Sequence, residues 1–431
     1  MDRRNFLQKL MGGSALSFYA LKELNAAVYD DIAGLDQAAQ GAIAPDGTYW
    51  EGIRKHFLFE DNLIMMNNGT VGPMPKPVYN TLMNYFEVQV KAPCDVYLYL
   101  PQLVNDVRVK LAQFIHADPD EVAITRNTTE GINFVANGLD LKEGDEVVMS
   151  DLEHPSGIHP WRLKAKRYGI TVKEFHLSVP PRDVDEIVES FKKAVTPRTK
   201  VLMISHTVYI TGLITPVKEL SEEAHKRGIL VLADSAHGAG MLDVDIHKLG
   251  VDFWCSSPYK WMGAPPGVGV FYVKKEVQDR VWPTIAFSGW DTYKSARRYE
   301  TFSQRADALA LALGEAMEFQ NRIGRARIER RIHALAGYLK ERLSQVPGLK
   351  LHTNTDNYLS AGLTAFSIQG VSPAALVDYL REKHNIVVRT IGSEEKGTHG
   401  VRVSTHIFVT MRDVDRLVDG VQDYVRQVGR T

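Results

Sequence analysis

Two apolar runs of strand length, Ile229–Ala233 and Val251–Cys255, each break off into a polar group, and this pairing constrains the chain more than any other feature. Asp234 and His237 follow the first run. Ser257, Tyr259 and Lys260 follow the second, ahead of a Gly/Pro-rich stretch that closes on Gly267–Val273. Further strand-like runs lie at Glu121–Thr125, Glu146–Ser150, Thr171–His176, Lys200–Ser205 and Val268–Val273, with helical patterns such as Pro216–Arg227 between them. Alternation of this kind predicts an α/β fold, its large domain a mostly parallel seven-stranded sheet covered on both faces. Ligands of an open α/β sheet sit beyond the carboxyl ends of the strands, so Asp234, His237, Ser257 and Lys260 are expected to converge on one crevice.

The chemistry that uses such a set is that of pyridoxal phosphate. A lysine condenses with the aldehyde of the cofactor, and a carboxylate keeps the pyridine nitrogen protonated so that the ring accepts electrons. Lys260 and Asp234 have the types and the placement for these two roles. Read singly, each is also an ordinary solvated loop residue or strand-end cap.

The order Asp-x-x-His at Asp234–His237, Asp245 and Gly250 in the interval, Ser-x-x-Lys-Trp at Ser257–Trp261 and then Gly-Val-Gly-Val-Phe-Tyr-Val resembles the class V aminotransferases. This is the fold-type I group that holds cysteine desulfurases, kynureninases and isopenicillin N epimerases. The resemblance spans roughly residues 60–425. It implies a homodimer with shared sites acting on an amino acid or similar amine, Lys260 bonded to the cofactor and moving the α-proton, and Asp234 as partner of the ring nitrogen.

Other positions complete the expected site. Thr128 and Thr129 follow Arg126-Asn127 at the start of an apolar helix, a natural seat for a phosphate, although the same letters make a plain helix cap. His154, in Asp151-Leu152-Glu153-His154, matches the histidine that stacks on the ring in the desulfurase branch. Tyr209 falls where desulfurases carry an asparagine that donates to the ring oxygen; the tyrosine departs from that pattern, and His237 is the alternative donor. Ser257, Tyr259 and Ser303 are expected at the phosphate, Ser303 from the neighbouring subunit, as the resemblance implies. Arg402 in Val401–Ser404, with Arg389 as second candidate, matches the arginine that holds the substrate carboxylate. The turn Asn67–Pro75, with Asn68 and Gly69, is expected at the mouth of the site, or as a plain domain-entry loop.

Past Pro283 the pattern changes to a loop and a long helical run from Ala308 to about Gln345. The elements Leu363–Ile368, Pro373–His384, Ile386–Thr390, Gly400–Ser404 and Arg412–Gln427 then read as a small α/β carboxy-terminal domain. The expected organisation is a large domain over 61–300 and a small one over 301–431, joined by an amino-terminal arm over 29–60 of loop and short helix. Residues 1–28 read as a twin-arginine export signal: Arg3-Arg4 precede Phe6-Leu7 and a short glycine-containing apolar stretch, with Asn25–Ala27 as processing region. The expectation is a periplasmic or secreted protein with no membrane span once processed. The alternative is an amphipathic helix of a cytoplasmic enzyme.

Composition narrows the partners. A net charge of −1 and 24% charged residues give no reason to expect nucleic acid. His154, His159 and His237 have no spacing of a metal site, and no phosphate loop or dinucleotide fingerprint occurs. The two cysteines are Cys94 and Cys255, the latter expected as a buried unreactive thiol. In desulfurases the loop after the Val-Arg-Thr strand carries a mobile cysteine; here Thr390–Gly400 has none. Persulfide formation is therefore not expected. Amino transfer or epimerisation ranks first, C–S elimination next, and a catalytically idle cofactor-binding protein is the non-enzyme alternative.

Overall fold

The computed structural model describes residues 23, 25–38 and 46–429. The Arg3-Arg4 pair and the apolar stretch after it lie outside the described residues. A seven-stranded sheet holds β2 (Val122–Thr125), β3 (Glu146–Ser150), β4 (Thr171–Phe175), β5 (Thr199–Ser205), β6 (Leu230–Asp234), β7 (Phe253–Ser256) and β8 (Gly269–Val273) in the order β2-β8-β7-β6-β5-β3-β4. Only β8 runs antiparallel to its neighbours. The sheet predicted from the apolar runs is the one observed.

The runs are apolar throughout because both faces are covered. Val148, Leu202, Ile204, Val231, Ala233 and Trp254 point into one cluster with Leu111 of α4 (Pro93–Ile115), Phe191 of α7 (Val184–Ala194) and Leu220 of α8 (Val217–His225). Their alternates Val147, Met149, Met203, Leu232, Phe253 and Cys255 point into another with Phe134 of α5 (Thr128–Gly138) and Trp161 of α6 (Pro155–Tyr168). Each fully buried side chain of this size contributes roughly 1.5–3 kcal/mol of transfer free energy, so a polar group within these runs is costly. The polar residues are accordingly displaced to the strand ends: Ser150, Ser205, Asp234 and Ser256 terminate β3, β5, β6 and β7.

The carboxy-terminal part builds a four-stranded antiparallel sheet, β12 (Arg389–Ile391), β13 (Gly400–Ser404), β10 (Leu363–Ile368) and β9 (Leu349–Leu351), in that order. Its inner face packs Phe366, Val401 and Val403 on α11 (Arg325–Ser344) and α13 (Met411–Val428), together with Tyr49, Trp50 and Ile53 of α2 (Asp46–Arg54). A second link from the amino-terminal side is β1 (Ile64–Met65), parallel to β11 (Ile386–Val387). Arg402 thus lies on an inner strand, flanked by β10 and β12.

The structure differs from the sequence pattern at three places. The helical run Ala308–Gln345 is two helices, α10 (Asp307–Ile323) and α11, because Gly324 between them takes φ +96, which breaks the helical ladder. The strand Ile386–Thr390 is split at Val388 between two sheets. The segment read as loop and short helix contains α1 (25–38), and its first residues are anchored: Asn25 Nδ2 donates to Thr81 Oγ1 of α3 (Lys76–Lys91) at 3.1 Å and to Glu315 Oε1 of α10 at 3.1 Å. A cut at Asn25–Ala27 would sever these bonds.

Candidate active site

The ends of β5, β6 and β7, with the amino terminus of α5, open into one cleft. It is lined by Thr128, Thr129, His154, Tyr209, Asp234, His237, Ser257, Tyr259 and Lys260, together with Ser156, Ser205, Thr207 and Ala236. Residues up to 132 positions apart in sequence, Thr128 and Lys260, therefore share one space. Most of the residues proposed from the sequence are brought together here.

Asp234 ends β6, where its carboxylate is buried. Oδ1 accepts the Ala236 N–H at 3.0 Å, while Oδ2 has no partner among the described residues. Burial raises its pKa, partly offset by the Ala236 N–H and by the charge of Lys260. A buried carboxylate oxygen without a donor is expensive, and here the missing donor is one that a ligand must bring. A protonated pyridine nitrogen is such a donor, so the residues fit the cofactor.

Lys260 sits in the turn after β7, its Nζ 3.5 Å from His237 Nε2. Burial lowers its pKa to about 8, against the pull of Asp234 in the other direction. The fully buried Trp261 next to it donates its indole N–H to His237 Nδ1 at 3.1 Å. An indole nitrogen only donates, so Nδ1 is the acceptor and the hydrogen of the neutral imidazole is on Nε2, facing Lys260. Burial holds this imidazole well below its ordinary pKa, in the neutral form.

His154 caps α6. Its Nδ1 accepts the Ser156 N–H at 3.1 Å, again leaving the hydrogen on Nε2, and burial lowers its pKa to about 4. The Tyr209 ring stands edge-on to it, centroids 4.7 Å apart. Beneath the cleft Glu153, buried, accepts from Ser150 Oγ at 2.5 Å, from the Ser205 N–H at 3.1 Å and from Ser205 Oγ. Burial pushes its carboxyl up to about 7.

At the amino terminus of α5, Ser257 Oγ accepts the Thr128 N–H at 3.2 Å and lies 2.8 Å from Thr128 Oγ1. The N-cap of α5 is Asn127, whose side chain accepts the Glu130 N–H, so Thr128 and Thr129 occupy the first turn, and both residues line the cleft. Ser303 is not among the lining residues. It is exposed, on a stretch pinned to β2 by the buried Glu300, which accepts the Ile124 N–H at 2.8 Å and pairs with Arg108 at 2.8 Å.

The turn Asn67–Pro75 lies against the lysine loop. Gly72 N–H donates to Tyr259 O at 2.9 Å and Asn68 Nδ2 to Lys260 O at 3.2 Å. A side chain at Gly72 would put Cβ 2.6 Å from Lys260 O, so only glycine allows this approach. Gly69 N–H donates to Ser404 Oγ at 3.2 Å beside Arg402. Arg402 is 1% exposed, its Nη1 donating to Tyr209 O at 2.9 Å. Arg389 is exposed and donates to Thr70 Oγ1 at 3.2 Å. The sequence reasoning did not single out Glu153, Trp261 or Thr70. Trp261 was visible only as the neighbour of the lysine, and Glu153 only as the neighbour of His154.

The fold and cleft define an α/β enzyme architecture with a buried lysine, a buried carboxylate short of a donor among the described residues, and a helix amino terminus at one strand-end crevice. The chain matches the aminotransferase class-V family over residues 66–417 and belongs to that family, which is pyridoxal phosphate-dependent and of fold type I. It is 30% identical over 389 residues to isopenicillin N epimerase of Streptomyces clavuligerus, covering 86% of this chain and 97% of that protein. It is 33% identical over 334 residues to a probable cysteine desulfurase of Halalkalibacterium halodurans, covering 73% and 80%. Among solved structures, the apo cysteine desulfurase from Thermococcus onnurineus NA1 superposes with a TM-score of 0.78 at 25% identity, covering 88% of this chain and 98% of that one. The complex of the cystine C-S lyase C-DES with its product cysteine persulfide gives 0.77 at 24% identity, covering 84% and 98%, a likeness of fold.

Proposed function

We propose that the protein acts at the α-carbon of an amino acid, by amino transfer or epimerisation. The observation that carries this reading is Lys260, an amine drawn down to about 8 by burial in the cleft that also holds the unpartnered Oδ2 of Asp234. Pyridoxal phosphate supplies, when bound, an aldehyde that bonds to amines and a ring that accepts the electron pair left at the α-carbon. Asp234 would hold the proton on the ring nitrogen, since its buried oxygen has no donor among the described residues. Lys260, a substantial fraction of it neutral near pH 8, would hold the cofactor through its aldehyde and, once displaced there by the substrate amine, would be free as the base that takes the α-proton. His154 would offer the flat face of a neutral imidazole to the ring. His237 would donate its Nε2 hydrogen to the ring oxygen, a role that Tyr209, edge-on to His154, need not fill.

A second reading, elimination of a β-sulfur substituent, is supported by the relatives named as desulfurases, and it begins with the same loss of the α-proton. A persulfide held on the protein is not part of it. Cys255 is fully buried in β7, its thiol pushed up by burial, and Thr390–Gly400 has no cysteine.

The active form we propose is a homodimer, in which the exposed Ser303 reaches the partner's site. A solution mass of one 48.3 kDa chain under assay conditions would count against it. The test of the reaction is incubation of holoenzyme with L-amino acids in deuterated water, with and without pyruvate. Alanine plus a keto acid is the result expected for transfer, and α-deuterated D-product for epimerisation. Without added pyruvate, the appearance of pyruvate with sulfide from cysteine, or with cysteine persulfide from cystine, would select elimination, and no solvent exchange at any α-carbon would defeat all three.

A further inference from the structure

Arg389 and Arg402 stand directly opposite each other on the antiparallel strands β12 and β13. Directly opposed side chains share one face of a sheet, and like charges placed so are destabilising. Both nonetheless reach the same hydroxyl: Arg389 Nη1 donates to Thr70 Oγ1 at 3.2 Å and Arg402 Nη2 at 3.3 Å, while Thr70 passes its own proton to Asn67 Oδ1 at 2.9 Å. Among the described residues neither guanidinium pairs with a carboxylate, whereas Arg54, Arg108, Arg126, Arg305, Arg325 and Arg327 each do. The two differ in depth. Arg402 is buried with Nε unpartnered among the described residues, and Arg389 is exposed.

The charge balance of the region is therefore incomplete. Lys260, Arg389 and Arg402 act on one another electrostatically, and Asp234 is the one carboxylate that lines the cleft. Asp234 is taken by the ring nitrogen in the reading above. A substrate with a single carboxylate would satisfy the buried guanidinium and leave the outer one unmatched.

We propose that the substrate is an amino acid with a second, distal anionic group, held by Arg402 at its α-carboxylate and by Arg389 at its side-chain anion, with Thr70 spacing the two guanidiniums. This rests on the reading that the cleft takes an amino acid. It adds the class of side chain.

The experiment is a titration of holoenzyme, followed by cofactor absorbance, with the near-isosteric pairs glutamate and glutamine, aspartate and asparagine. One charge-assisted contact corresponds to about tenfold in affinity. The acid of each pair is expected to bind about tenfold or more tightly than its amide, and Arg389→Gln to abolish most of that ratio. Equal affinity of acid and amide overturns the proposal. So does an Arg389→Gln variant that weakens acid and amide alike, because Arg389 then shares the α-carboxylate. Calorimetry with glutarate and butyrate, which carry no amine, separates the two readings. Tighter binding of glutarate, lost in Arg389→Gln, supports the paired anion sites even if no amino acid perturbs the cofactor; glutarate no tighter than butyrate refutes them.

Discussion

Replacing Lys260 by methionine should make the cofactor-free protein more stable, and the structure gives the size and the pH range of the gain. Burial takes the amine from its ordinary 10.5 to about 8. At about 1.4 kcal/mol per pH unit this corresponds to about 3 kcal/mol by which the folded chain resists the ammonium form relative to the unfolded chain. The attraction of Asp234 is already inside that figure, as one of the influences that set the value. Because the folded value lies below the unfolded one, the unfolded state takes up the proton first. The penalty is absent above pH 10.5, grows as the pH falls and is complete below about 8. Lys260→Met, of similar length and without a charge, removes it. Urea unfolding of both proteins, stripped of cofactor, is expected to show the variant about 3 kcal/mol more stable at pH 7, with the gap mostly closed at pH 10. A variant no more stable than the parent at pH 7, or a gap that stays constant with pH, would refute the claim that this lysine is held in the fold against its own solvation.

Asp234→Asn is expected to retain cofactor but to lose two or more powers of ten in turnover, since one preorganised charge partner in a buried site contributes roughly that much; near-normal kcat would end its assignment to the ring nitrogen. Trp261→Phe keeps the ring but removes the donor that fixes His237. It should cost about 1–3 kcal/mol of stability, and nitrogen-15 spectra of labelled histidine should show His237 populating both tautomers; an unchanged tautomer would show that Trp261 does not set it. For the amino terminus we propose twin-arginine export. A reporter fused to residues 1–30 should reach the periplasm, and export surviving Arg3-Arg4→Lys-Lys at full efficiency would contradict that route.

The strand runs of the large sheet were legible because a strand covered on both faces must be apolar along its whole length, and a polar residue at its end, such as Asp234, then marks the crevice. The same logic delivered Lys260, a few residues past the end of β7, and Thr128, at a helix start, while His154 came from the resemblance to the desulfurase branch. Patterning does not report a single residue in a left-handed conformation, so the break at Gly324 was lost inside a helical period that continues on both sides. Tertiary structure alone decided the hydrogen-bond partners. That His237 presents Nε2–H to Lys260 follows from Trp261, and Glu153 lies buried because two serines on different strands converge on it. The pairing of Arg389 with Arg402 belongs to the same class. Thirteen positions separate them in sequence, and only the antiparallel register of β12 and β13 sets the two charges on one face around Thr70. Sequence determines which residues have chemistry and where strands end; which of those residues touch is fixed by strand order and register, which no local pattern encodes.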